Sequence, residues 1–103
     1  MRRLRRIGIV GLVALHYLAR EGPMHGYALR RRIEEESGVE IGESTLYDAL
    51  RRLEKQGLAK AAWTVSGGRL RRLYEPTEKG RRALQEALEE ARALLSGIVC
   101  GGD

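Results

Sequence analysis

Apolar residues recur every three or four positions through most of the chain, which is the spacing of an α-helix with one buried face. The first such segment ends at Glu21-Gly22-Pro23, because glycine and proline together break a helix. Its apolar stripe is Leu4, Ile7, Gly11, Leu15 and Leu18, and the remaining circumference carries Ile9, Val10, Leu12 and Val13. A helix that is apolar nearly all round needs more than one neighbour, and a second subunit is one source of that cover.

The same segment resembles a secretory signal, since arginines precede an uncharged stretch. That stretch runs from Ile7 to Ala19 and contains 13 residues, too few to span a bilayer. Removing it would leave a remnant with little core and no disulfide to stabilise it. We therefore predict a buried first helix and no membrane partner.

Two further helices are predicted around a short connection. The second runs from about Gly26 to Ser37, and the third runs from Glu43 to Gln56. Gly38 and Gly57 supply their ends. The inward positions are Ala28, Leu29 and Ile33 in the second helix and Leu46, Ala49, Leu50 and Leu53 in the third. The other face of the third helix carries Ser44, Tyr47, Asp48, Arg51 and Lys55. Two helices joined by a short turn, the second with a polar-aromatic outer face, are typical of a helix-turn-helix.

The next segment has the composition of strands. Residues 58–65 include Trp63, Thr64 and Val65, and Ser66-Gly67-Gly68 follows them as a turn before RLRRLYEP. Paired glycines between two such runs predict a two-stranded β-hairpin. Pro76 must lie at a strand end or on an edge, because it cannot donate to a ladder.

Thr77 is predicted to cap a final helix with a narrow apolar seam. The seam is formed by Leu84, Leu88, Ala91, Leu95 and Ile98. Its spacing is typical of a coiled coil, so we predict that it is a dimer interface. The fold class is therefore mostly α with a small β-hairpin: a winged helix-turn-helix domain over residues 1–76, a dimerisation helix over 77–100 and a frayed tail over 101–103.

Charge and cysteine content narrow the function. The chain has 19 Lys and Arg against 14 Asp and Glu, a formal net charge of +5. Residues 1–76 carry 15 basic and 9 acidic side chains, and the excess favours a nucleic acid as partner. The single cysteine, Cys100, excludes an intrachain disulfide and a cysteine-cluster zinc site, and it fits a reducing cytoplasm.

Enzyme chemistry finds little support in the sequence. His16 and His25 are nine residues apart on different elements, with no cysteine or carboxylate at metal-ligand spacing. Neither a nucleophile-base arrangement nor a phosphate-cradling glycine loop is present. We expect no catalytic residue, cofactor or metal, and we expect His25 to cap or pack the second helix.

The third helix carries the candidate DNA-reading residues. Ser44 and Thr45 occupy its first turn, where hydroxyls can donate to phosphates or base edges in a major groove. Tyr47 and Arg51 lie one turn apart on the outer face, and we expect both to contact DNA. Packing on the wing is the alternative for Tyr47, and simple solvation is the alternative for Arg51.

Arg52 has two candidate roles. It can contact a phosphate, or it can pair with Asp48 four residues earlier in the helix. Asp48 would be repelled by phosphate, so it either restrains Arg52 or accepts from a cytosine amino group. We favour the restraining role.

The wing offers a second set of cations. Arg69, Arg71 and Arg72 follow the glycine turn, and a hairpin can carry them to the DNA backbone or a minor groove. Lys60 on the opposite strand is a weaker candidate. Trp63 and Tyr74 are expected to pack the wing onto the helices. At the other end of the chain, Arg2, Arg3, Arg5 and Arg6 form either a basic arm or a frayed, solubilising end.

Three segments resemble the PadR family of transcriptional regulators. They are EGPMHGYALRRRIEE, TLYDALRRLEKQGL, and the stretch from Trp63 through GGRLRRLYEPTEKGRRAL. Together they cover most of residues 12–84 in the family's order and spacing. The resemblance implies a cytoplasmic, homodimeric, prokaryotic, repressor-like protein that binds a palindromic operator. It places the recognition helix at Glu43 through Gln56 and the wing tip at Gly67, Gly68 and Arg69.

The chain departs from the family at three points. Asp48 stands where the family often has proline, and Pro76 replaces an expected aliphatic residue. The terminal helix has no tryptophan, whereas some relatives hold a drug between aromatic residues of this helix. An unidentified small-molecule effector at the dimer interface stays open, and so does a second function class, a winged-helix module that binds protein or RNA.

Overall fold

The computed structural model describes the backbone of residues 2–101 and the side chains of residues 3–98. Four helices and a three-stranded antiparallel sheet make up the fold. In chain order the elements are α1 (Arg2–Glu21), β1 (Met24–His25), α2 (Gly26–Ser37), α3 (Glu43–Lys55), β2 (Ala59–Ser66), β3 (Arg69–Pro76) and α4 (Glu78–Gly101). This architecture confirms a mostly helical winged helix-turn-helix with an added terminal helix. The side chain of Cys100 and tail residues 102 and 103 lie outside the described residues.

The helix ends lie where local chemistry predicted them. Gly38 adopts φ 75° after α2 and donates its N–H to the Glu34 carbonyl, and Gly57 adopts the same φ after α3. The Thr77 hydroxyl accepts the Gly80 N–H at 2.9 Å, which caps α4. The same hydroxyl donates to the Gly57 carbonyl at 2.7 Å, so the cap also joins α4 to the end of α3.

The β-hairpin is confirmed, with β2 and β3 paired from Ala59↔Pro76 to Ser66↔Arg69. Gly67 and Gly68 both have positive φ, 59° and 75°, as a tight two-residue hairpin turn requires. Pro76 lies at the end of its strand. The predicted two-stranded sheet is wrong in one respect, because β1 adds a third strand along β3. A strand of two residues is too short to show a period in the sequence.

The core lies between the helices and the base of the sheet. Its largest fully buried side chains are Leu15, Leu18, Leu29, Ile33, Leu46, Leu50 and Leu53. The inward face of α3 is as predicted. Ala28, expected inward on α2, is exposed instead, because the buried stripe of that helix is formed by Gly26, Leu29 and Ile33.

A kink at Gly8 divides α1. Gly8 has φ 76° and ψ 165°, in a region that favours glycine. The kink separates Ile7, which is buried, from Ile9, which is exposed. The predicted stripe is buried on both sides of the kink, since Leu4 is partly buried and Ile7, Gly11, Leu15 and Leu18 are buried.

The segment before the kink is fastened to α4. Arg3 Nε donates to Glu86 at 2.6 Å, and Glu90 accepts the N–H groups of Leu4 at 3.0 Å and Arg3 at 3.3 Å. Hydrogen bonds from the backbone N–H groups of Leu4 and Arg3 lower the pKa of the Glu90 carboxyl. Glu90 thus caps the start of α1.

The N-terminal arginines are consequently not one unit. Arg3 belongs to the folded structure, so neither a basic arm nor a frayed end describes it. Arg5 and Arg6 are exposed, and the side chain of Arg2 lies outside the described residues.

Candidate nucleic-acid interface

The first turn of α3 is presented to solvent. Ser44 and Thr45 are exposed, while Leu46 and Leu50 on the opposite side are fully buried and hold the helix in place. The N-cap residue is Gly42, so no side chain caps the first backbone N–H groups of the helix. The N-terminus of α3 therefore offers backbone N–H groups and two hydroxyls in one place, a combination suited to an anionic partner.

Tyr47 is half-buried, so the expectation of an exposed aromatic residue on the outer face is wrong. Its ring packs against Gly26 at the start of α2. A Cβ at Gly26 would lie 2.5 Å from the Tyr47 hydroxyl oxygen, so only glycine leaves room for the ring. Tyr47 therefore joins α3 to α2, and it also lines the space between α3 and the wing.

Asp48 pairs with Arg51 three residues later, and not with Arg52 as predicted. Arg51 and Asp48 are both largely exposed. Arg52 is turned towards α1, with Nη1 4.0 Å from where a Cβ on Gly8 would lie. Nothing in the sequence of α3 indicated this position of Arg52 beside Gly8. Arg51 is thus held by a carboxylate on the exposed face of the recognition helix.

The wing arginines differ in their surroundings. Arg69 at the tip is exposed, and Arg71 is half-buried. Arg72 Nη2 donates to Glu54 on α3 at 2.7 Å, and the Arg72 guanidinium lies 5.7 Å from the Tyr74 ring centroid. The Arg72 guanidinium is therefore paired within the protein, and its contact with a phosphate stays a prediction.

Lys60 and Trp63 lie on β2. Lys60 Nζ is 3.5 Å from a Glu75 carboxylate oxygen, on the exposed side of the sheet. Trp63 is 64% exposed, so it does not pack the wing onto the helices as predicted. Instead, the Arg72 guanidinium lies over its ring, with Cζ 5.5 Å from the ring centroid. Tyr74 is buried and does pack the wing on the core.

His25 and Glu54 both contact Arg72 of the wing, His25 at its carbonyl oxygen and Glu54 at its guanidinium. His25 stands at the N-cap position of α2 but makes no side-chain cap hydrogen bond. Its Nδ1 lies within hydrogen-bonding distance of the Arg72 carbonyl oxygen, at 3.1 Å, so the side chain joins the start of α2 to β3. Glu54 was not singled out from the sequence, because its partner is 18 residues away and a charged residue near a helix end is common.

These elements enclose a cleft of about 360 Å³ between α3 and the wing. Among its lining residues are Tyr27, Tyr47, Arg51, Trp63, Leu70 and Arg71. The wall combines cations with aromatic faces, which suits a sugar-phosphate backbone. Ser44 and Thr45, on the first turn of α3, are not among the residues that line it.

A second surface is apolar. Leu95 and Ile98 at the end of α4 are 57% and 69% exposed, and Leu94 beside them is also exposed. Leu84, predicted as part of the dimer seam, is 5% exposed and lies in the chain's own core. Leu88 is partly buried against the same core. The seam therefore has two parts, an inner half used within the chain and an outer half left open.

An apolar groove of about 490 Å³ lies elsewhere on the same molecule. Residues of α1, α2, the connection after α2, and α4 line it, among them Ile9, Val13, His16, Val39, Ile41 and Leu88. Within residues 2–101 no helix is long and apolar enough to cross a membrane. In the part of the chain that the structure describes, no group of three His, Cys, Asp or Glu residues could hold a metal ion.

Known proteins are similar to this chain in sequence and in fold. The profile of the transcriptional regulator PadR-like family matches residues 14–86. The transcriptional regulator Rv3488 of Mycobacterium tuberculosis is 41% identical over 101 residues, which is 94% of this chain and 92% of that protein. A PadR family transcriptional regulator from Eggerthella lenta has a TM-score of 0.73 at 36% identity, with 84% of this chain and 77% of that chain covered.

One related structure includes DNA. PadR of Bacillus subtilis, solved in complex with operator DNA, has a TM-score of 0.66 at 26% identity. The match covers 75% of this chain and 45% of that chain. The three sequence segments, the winged helix-turn-helix and the profile match over residues 14–86 agree, and the chain belongs to the PadR-like family of transcriptional regulators.

Proposed function

We propose that this regulator is a cytoplasmic homodimer that binds a palindromic operator as a repressor, without enzymatic activity. The observation that carries the proposal is the arrangement of α3 and the wing. Ser44 and Thr45 are exposed on the first turn of α3, and the cleft between α3 and the wing brings Arg51 close to Arg71. The operator complex of Bacillus subtilis PadR supports the same use of this fold.

The geometry fits a major groove with its flanking backbone. A recognition helix meets base edges with its first turns, where Ser44 and Thr45 lie. Arg51, about two turns further along, can bond a guanine bidentately, a contact worth roughly 1–3 kcal/mol of discrimination. Arg69 and Arg71 on the wing, with Lys60, then supply phosphate contacts that add affinity for any sequence.

A second copy of the chain is the occupant we assign to the apolar groove. Leu94, Leu95 and Ile98 leave an apolar helix end exposed, and the groove on α1 and α2 is lined almost entirely by apolar side chains. Two copies can exchange these surfaces reciprocally, which closes the assembly as a two-fold dimer. A two-fold dimer places its recognition helices on half-sites about one helical turn apart, so the operator is palindromic. The groove is thereby assigned to protein, and the proposal includes no small-molecule effector.

DNA binding is tested by fluorescence anisotropy on the duplex upstream of the protein's own gene and on random duplex. Arg51→Ala should reduce the preference for the operator by about tenfold or more. Arg82→Ala on α4 removes the same charge outside the proposed interface and should leave the preference unchanged. Equal affinity of the wild-type protein for both duplexes would favour the interaction module that binds protein or RNA.

Dimerisation is tested by sedimentation at micromolar concentration. Leu95→Asp places a charge on the open half of the seam and should give folded monomer. Ser96→Asp introduces the same charge on the other side of the helix and should leave a dimer. A wild-type protein that sediments as one species of 11.5 kDa contradicts the proposed assembly.

A further inference from the structure

The tip of the wing carries an exposed apolar pair that the DNA contacts proposed so far do not use. Val65 is 75% exposed and Leu70 is 66% exposed. The two are register partners across the hairpin, next to the Ser66↔Arg69 pair that closes the turn. Cross-strand partners project from the same face of a hairpin, so these side chains form one apolar patch.

The hairpin that carries this patch is cationic, and its tip is thin. No acidic residue occurs from Ala59 to Tyr74. Arg69 and Arg71 precede and follow Leu70 on β3, so their side chains leave the hairpin on its other face. A Cβ at Gly67 or Gly68 would have no atom within 4 Å, so the turn itself is narrow and open. A thin hairpin with an apolar patch on one face and arginines on the other suits a partner that is anionic on its walls and apolar inside.

A DNA minor groove has that combination. It is about 6 Å wide, its phosphates line both walls, and aliphatic side chains inserted between base steps unstack them. A protein surface that accepted Val65 and Leu70 would also need carboxylates for Arg69 and Arg71. The patch adjoins the proposed DNA interface, because Leu70 lines the cleft with Arg51 and Tyr47. Duplex DNA is therefore the favoured occupant.

We propose that Leu70, backed by Val65, enters the minor groove as an apolar wedge and bends the operator. This inference rests on the proposed DNA-binding function and adds a means of specificity. A wedge favours base steps that unstack easily, such as TA and CA/TG, so it selects sequence without a hydrogen bond to a base. Arg69 holds the neighbouring phosphate while Leu70 contacts the base step.

The experiment measures operator bending by Förster resonance energy transfer between dyes attached to the two ends of an operator duplex. The wild-type protein should bend the duplex by roughly 20–90°. Leu70→Thr keeps a residue that favours strands but removes the apolar side chain, and it should leave the duplex nearly straight. Leu70→Met keeps an apolar side chain of similar size, and it should keep the bend.

Arg69→Ala is the matched variant on the neighbouring residue. It should retain the bend but weaken binding, with a salt slope about 1 smaller. Leu70→Thr should show the opposite pattern, a lost bend with an unchanged salt slope. The circular dichroism of both variants checks that the hairpin remains folded.

The outcomes separate the wedge from the function on which it rests. If the wild-type protein binds its operator without bending it, or if Leu70→Thr bends it as the wild type does, the wedge is wrong and the DNA-binding function stands. If the wild-type protein shows no preference for the operator, both are wrong. Bending that depends on Leu70 and prefers an operator with a TA step over one with an A-tract at the wing supports the wedge.

Discussion

Glu54 on the recognition helix accepts a hydrogen bond of 2.7 Å from Arg72 on the central strand of the wing. The same guanidinium lies over the rings of Trp63 and Tyr74. One arginine therefore joins α3 to both long strands. In the proposed complex DNA meets α3 and the wing together, so this contact between residues 18 positions apart sets the angle between the two surfaces.

The first prediction concerns that pair. A double-mutant cycle with Glu54→Gln and Arg72→Gln should give a coupling free energy of about 1 kcal/mol in urea unfolding, because both side chains are largely covered. Each single variant should also weaken operator binding, since the wing loses its fixed angle. Lys60 and Glu75 form the matched pair, at 3.5 Å and more exposed, and their coupling should be close to zero. Equal coupling in the two cycles would contradict the assigned role of Arg72.

Features that depend on neighbouring residues in the chain were predictable from the sequence. The caps at Gly38 and Thr77 follow from backbone chemistry within a few residues. The Gly67-Gly68 turn follows from the positive φ that such a turn needs. The apolar face of α3 follows from its period. These local signals were enough to establish the fold class and the family.

Contacts across the fold were not predictable in the same way. Tyr47 has the position of an exposed residue on α3, and it is half-buried only because Gly26 leaves space for its ring. Arg72 lies on the wing, where the sequence predicts a phosphate contact, and its guanidinium forms an ion pair with Glu54. Trp63 is exposed although tryptophan is usually covered. The surroundings of each side chain depend on a partner 9 to 21 residues away in the sequence. The spacing of hydrophobic residues does not indicate which side chains become partners.

The second prediction concerns the junction between α4 and the start of β2. A Cβ at Gly80 would lie 1.9 Å from the Leu58 carbonyl oxygen, which is backbone and cannot move aside. Gly80→Ala should therefore destabilise the fold by about 3 kcal/mol. Unfolding in urea at a fixed protein concentration measures the change, since a dimer's stability depends on concentration.

Gly97 is the control within the same helix. A Cβ there would have no atom of its own chain within 4 Å, and an alanine loses less backbone entropy than a glycine when it enters a helix. Gly97→Ala should stabilise the protein by about 0.5–1 kcal/mol. A destabilisation of the same size in both variants would mean that close approach to Leu58 is not the cause.

The third prediction concerns acid stability at the contact between α1 and α2. Arg20 bonds both Glu21 and Glu36, and Arg32 bonds the same two carboxylates. The hydrogen bond from Arg20 lowers the pKa of Glu36 to about 2. In the unfolded chain this carboxyl has its ordinary pKa, about 4.3, so its contribution to stability is present above that pH and is lost as the pH falls towards 2.

Glu36→Gln removes this contribution and tests the direction of the pH dependence of stability. The variant should be less stable than the wild type at pH 7, and the difference should shrink from about pH 4.5 down to pH 2. Glu35→Gln changes a neighbouring exposed glutamate outside these four ion pairs, and it should keep nearly the wild-type pH profile. A constant difference between Glu36→Gln and the wild type across pH 7 to 2 would exclude the ion pair as its origin.

The last prediction concerns Asp48, whose carboxylate is paired with Arg51 on the exposed face of α3. In the free protein this pair restrains the arginine, and on DNA the carboxylate lies close to phosphates that repel it. Two unit charges at about 4 Å in water interact by about 1 kcal/mol, so Asp48→Asn should tighten binding by about fivefold to operator and random duplex alike. The lost ion pair costs only about 0.2–0.5 kcal/mol of helix stability, so the variant should remain folded.

Glu34→Gln on α2 removes the same charge outside the proposed interface, and it should change DNA affinity much less than Asp48→Asn does. Arg51, once released, can also add a phosphate or guanine contact, so the salt slope of Asp48→Asn should steepen by up to about 1. The alternative role of Asp48, accepting from a cytosine amino group, predicts the opposite result for the operator. Anisotropy that shows weaker operator binding with unchanged random binding would assign Asp48 to base reading, and tighter binding to both would assign it to restraint of Arg51.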